Sequence, residues 1–146
     1  MSDNRNMNDQ MPDDSDALEA TLQRLRDLRR GLLHLHKTLL DTERAAYEQL
    51  EGRVSSGELL QLVISHEQFA WLHAISELIV KIDETLDADE PATIGDAKSL
   101  FMQIEALLKP AETGSEFAQK YFAALQREPD AVLAHREVKR MLSAGS

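Results

Sequence analysis

From Asp16 onward apolar and polar positions alternate with helical periodicity. Leu18, Leu25, Leu32, Leu39 and Ala46 recur every seven residues; Leu28 and Leu35 flank that row on one side, Leu22 and Leu50 on the other. Asp16 with Glu19 three residues on resembles a capping box, and Gly52 suits the position just past a helix end. The spacing predicts a helix over about 16–51, with Gly31 marking a bend or a break. At 1.5 Å per residue such a helix is roughly 50 Å long and needs partners along its whole length. Ser55 and Glu58 open a second predicted helix, about 56–86. Its apolar face reads Leu72, Ile75, Ile79, Ile82 and Leu86, widened by Ile64, Trp71 and Leu78 on one side and by Leu62 and Phe69 on the other. So wide a face predicts cover from several directions.

Three shorter helices follow, at about 93–108, 115–127 and 129–143; Pro91 and Pro110 punctuate them, and Pro129 stands at the first position of the last. There is no alternating run, no hairpin dipeptide and no β-branched cluster that would make a strand. The expected fold is all-α: a long antiparallel helical hairpin, 16–51 and 56–86, under three shorter helices. Residues 17–146 read as a single helical-bundle domain. A hairpin of this length, apolar on a broad face, leads to the expectation of a homodimer that completes a four-helix core.

Composition narrows the classes of function. Residues 1–16 carry five acids and one arginine without periodicity, and are expected to form a disordered acidic tail. The whole chain of 146 residues has a formal charge of −10, which opposes nucleic-acid binding. Cysteine is absent, which excludes disulfides, thiolate metal sites and a cysteine nucleophile. No signal-peptide pattern is present, and the most apolar stretch, 69–82, is interrupted by His73, Glu77 and Lys81, so no membrane span is expected. The expected location is cytoplasmic.

Candidate chemistry rests on the histidines. His36 and Glu43 lie seven apart on the first helix, and His66 and His73 seven apart on the second. In a hairpin turning near residue 54, His36 would face about residue 72 and Glu43 about residue 65. His36, Glu43, His66, His73 and Glu77 could then converge as a carboxylate–imidazole site for iron, manganese or zinc. The simpler reading makes them boundary residues, because Glu-x-x-His does not occur and the later helices add only His135. Arg29, His36 and Glu43 recur beside the leucine seam. They read either as polar positions that fix register across an interface or as an acid–base pair, and no nucleophile motif or phosphate loop accompanies them. Trp71, Phe69, Tyr47, Tyr121 and Phe122 read as core or as a pocket lining. The acidic run Asp83, Glu84, Asp87, Asp89 and Glu90 lacks the calcium-loop pattern and reads as a solvated helix end.

Leu35-His36-Lys37, Glu43-Arg44, Tyr47-Glu48 and Gly52, followed by Phe69-Ala-Trp-Leu72 and Ser76-Glu-Leu-Ile79, resemble a group of short uncharacterised bacterial all-helical proteins. The resemblance spans about residues 25–90. It implies a bacterial source and a hairpin unit, with no activity and no site residue attached. The expected function is therefore that of a non-enzymatic homodimer acting by protein–protein interaction. The alternative is a metal-binding bundle with a redox or oxygen-related role.

Overall fold

The computed structural model describes residues 14–144. It is all-α, with six α-helices, one 3₁₀ segment and no strand among the described residues. The tail expected over residues 1–16 lies outside the described residues as far as 13; residues 14–16 form the first turn of α1 (Asp14–Glu51).

Helix α1 runs unbroken for 38 residues. Its leucine seam is the centre of the core: Leu25, Leu28, Leu32, Leu35 and Leu39 are completely buried. It stops at Gly52, which takes φ +88° and donates its N–H to the carbonyl of Glu48 at 2.9 Å. That left-handed geometry strains any residue with a Cβ. Gly31 does not break the helix. It is buried, and a Cβ there would stand 3.2 Å from both Val138 Cγ2 and Met141 Sδ, so the glycine permits a close approach of the last helix.

The second arm departs from the single helix expected over 56–86. Helix α2 (Ser56–Ser65) ends at His66, whose backbone is extended, and a 3₁₀ segment (Glu67–Leu72) leads into α3 (His73–Asp87). Local side chains supply the alternative hydrogen bonds that make the break possible. Ser65 Oγ donates to the carbonyl of Gln61 at 2.8 Å, and the Gln68 N–H donates to His66 Nδ1 at 3.0 Å. The apolar face explains why the break is favourable. Phe69 and Trp71 lie to either side of the row that Leu72, Ile75, Ile79 and Ile82 form on a straight helix, yet with the tighter turn all six are buried. The counterpart is α2, which buries no residue and packs mainly on the 3₁₀ segment that follows it.

Helices α4 (Ile94–Leu107), α5 (Glu116–Arg127) and α6 (Pro129–Ser143) fall close to the expected positions, because capping residues fix their starts. Thr93 and Asp96 form a reciprocal capping box, Ser115 accepts from the Ala118 N–H, and Pro129 stands in the first turn of α6. All three pack within their own chain: α6 lies along α1 in the most extensive contact of the fold, α4 touches α1 and α3, and α5 rests on α6 and the 3₁₀ segment. The inner part of the leucine seam thus has its cover in the monomer, from α3, α4 and α6.

Candidate functional site

The polar positions beside the seam each meet a partner on the second arm. Arg29 is paired with Asp83, through Nε and through Nη2 at 3.3 Å to Oδ2. His36 Nε2 lies 3.0 Å from Ser76 Oγ. Gln68 Nε2 donates to Glu43 Oε2 at 2.9 Å. On α1 these positions are spaced by seven; on the second arm, 83, 76 and 68 are spaced by seven and then eight, the longer interval reaching into the 3₁₀ segment. The three rungs make the arrangement a register device: a one-residue slip between the arms would unpair all of them. His36 and Glu43 thus meet residues 76 and 68 rather than about 72 and 65. The chain spends extra residues on α2 and the break before it returns alongside α1.

The five candidate metal ligands are placed individually. His73 Nε2 lies 2.6 Å from the carbonyl of Val63, so that nitrogen carries a proton and donates. His66 Nδ1 is occupied in capping the 3₁₀ segment, and its ring stands edge-on to Tyr47 at 5.4 Å. Glu43 is held by Gln68, His36 faces Ser76, and Glu77 points to solvent. Among the described residues no three His, Asp or Glu side chains gather in a group that could hold a metal ion. Burial, with some repulsion from His73, lowers the pKa of His36 and favours the neutral ring. Asp83, chiefly through its hydrogen bond, raises that of Arg29.

Of the aromatic candidates, Phe69, Trp71 and Tyr121 are core. Trp71 and Phe117 rings lie 5.5 Å apart, Phe117 and Tyr121 5.3 Å, and a further pair went unnoticed in the sequence: Tyr121 OH with His135 Nδ1 at 2.6 Å. Burial raises the Tyr121 pKa, so the phenol keeps its proton and donates it. Burial, then Lys139, lowers that of His135, which leaves Nδ1 free to accept. His34 sits exposed in a shallow groove of about 540 Å³ between α1 and the start of α6, with Lys37, Asp41, Glu128 and Asp130 on its walls.

Among the described residues, large apolar side chains are exposed singly at Leu33, Val80, Met102 and Leu133, on α1, α3, α4 and α6, and three more, Leu50, Leu60 and Ile64, lie at the outer end of the hairpin. Beyond Leu39 no α1 residue is buried, and Leu50 is 85% exposed. On α2, Leu59, Leu62 and Val63 lean toward the core, whereas Leu60 and Ile64, one turn apart on the opposite side, are 58% and 60% exposed. No helix among the described residues is long and apolar enough to cross a membrane. Compared with known proteins, the chain matches no family model, no curated protein and no solved structure.

Proposed function

We propose that the protein works by binding another protein chain through the outer end of its hairpin, without chemistry of its own. One observation carries this reading: α2 buries nothing within the monomer yet presents Leu60 and Ile64 on one exposed side, beside an α1 terminus that presents Leu50. Exposed apolar clusters of this kind mark interaction sites more often than scattered surface leucines do. The polar groups along the hairpin support it from the other direction, because His36, Glu43, His66 and His73 are each engaged in holding the fold. The location is taken as cytoplasmic and the source as bacterial.

The test is photocrosslinking in living cells, with a benzophenone amino acid at position 60 and, as the comparison, at Lys98, exposed on α4. Discrete protein adducts at position 60 and none at position 98 are expected. Matching adduct patterns at the two positions would overturn the reading.

A further inference from the structure

We infer that the occupant of this surface is a second copy of the same chain, docked α2 against α2 in antiparallel fashion about a twofold axis near residues 60 and 61; the inference rests on the interaction reading above. Three features of α2 point to this partner. Gly57 is three and four residues from Leu60 and Gln61, and Ile64 four and three residues beyond them, so they form one stripe, and all four are exposed. Gly57 has no positive φ, and a Cβ at that position would meet nothing within 4 Å, so neither backbone geometry nor packing inside the chain calls for a glycine there. In the antiparallel pairing each Gly57 lies opposite the partner copy's residue 64. The bulky Ile64 of one copy then fills the notch left by the missing side chain of the other, and Leu60 packs near the axis.

Charge selects the same orientation. Arg53 stands three residues before α2 and Glu67 two residues after it; both are exposed, and neither has a partner among the described residues. Antiparallel docking sets the Arg53 of one copy beside the Glu67 of the other, twice over. Parallel docking would set arginine against arginine and glutamate against glutamate. The helix ends agree: a cation is favoured at the C-terminal end of α2 and an anion at the N-terminal end. The isologous contact is self-limiting, so the product is a closed dimer.

The chain has no cysteine, so single-cysteine variants of the full-length protein report the contact directly. Under mild oxidation Gln61→Cys is expected to be trapped as a covalent dimer, since the two thiols meet near the axis, whereas Lys98→Cys is not. In sedimentation velocity, Ile64→Glu and Gly57→Leu are each expected to weaken the dimer by roughly tenfold or more. All these positions face solvent in the monomer, so helix content by circular dichroism stays unchanged. Arg53→Glu and Glu67→Arg weaken it singly and restore it together. A wild-type chain that sediments as a monomer at high micromolar concentration, or equal trapping of the two cysteines, would overturn self-docking. Position-60 crosslinks to other proteins only would also overturn it while leaving the interaction reading intact; no crosslink at that position removes both.

Discussion

Replacing Gly31 by alanine opposes two effects of known size. Inside a helix, alanine is favoured over glycine by about 1 kcal/mol, so on α1 alone the change is stabilising. The new Cβ, however, would lie 3.2 Å from Val138 Cγ2 and Met141 Sδ, and 3.6 Å from Met141 Cε. Carbon atoms pack best at about 3.5–4.0 Å, so both shortest contacts need relief of a few tenths of an ångström. Met141 is partly exposed and can swing its thioether away. Val138 is completely buried and β-branched, and a helix holds it to one strongly preferred rotamer, so relief comes from α6 moving outward along its contact with α1. Overpacking of this kind costs about 1–3 kcal/mol, which outweighs the gain in propensity and leaves a net loss of about 1 kcal/mol. In thermal unfolding followed by circular dichroism that is a fall of roughly 3–4 °C for a chain of this size. Moving the methyl rather than adding it separates the two effects: Gly31→Ala combined with Val138→Ala is expected to be more stable than Val138→Ala alone. A Gly31→Ala protein that melts above the wild type would refute the reasoning, because it would show that the approach of α6 does not require the glycine.

The remaining predictions concern the polar pairs and the core. Tyr121→Phe leaves His135 Nδ1 without its donor and is expected to cost about 1 kcal/mol in urea unfolding at neutral pH, with the m-value unchanged. The pKa values of His36 and His135 are lowered in the folded state, so the unfolded chain, titrating near 6.5, takes up protons first as pH falls. Stability is therefore complete above about pH 6.5 and declines below it until the folded-state values are passed, and a His36→Gln/His135→Gln double variant should show a flatter melting profile between about pH 7 and 5. Ser76→Ala is expected to cost about 1 kcal/mol by leaving the half-buried His36 ring unpaired, whereas Ser76→Ala with His36→Leu should recover most of it; equal losses in both would remove the rung from the account. Leu32→Ala, at the fully buried centre of the seam, is expected to cost about 2–5 kcal/mol by chemical denaturation.

What could be read from the sequence and what could not divides along the range of the forces involved. Helix α1 and the three C-terminal helices are legible because their signals are local: a heptad seam, a glycine beyond the last turn, and caps at Thr93, Ser115 and Pro129. The break at His66 is not legible in the same way. Periodicity continues through it, and only the excessive width of the apolar face, with Phe69 and Trp71 off the axis of Ile75 and Ile79, signals that one straight helix cannot bury everything. The same long-range demand hides the meaning of Gly31, whose φ is ordinary for a helix and whose reason lies on α6, more than a hundred residues later. The rungs show the intermediate case. Arg29, His36 and Glu43 announce themselves as polar interruptions of a leucine seam, but Ser76 and Gln68 carry no such mark, and the register that joins them follows from the break. The break therefore sets two things at once. It returns the chain beside α1 at the register the rungs require, and it releases α2 from the core, so that a helix with an apolar face on each side has only one of them turned inward. The surface on which the proposed function rests is a consequence of how Phe69 and Trp71 are buried, and straightening the second arm would bury α2 against α1 only by expelling them.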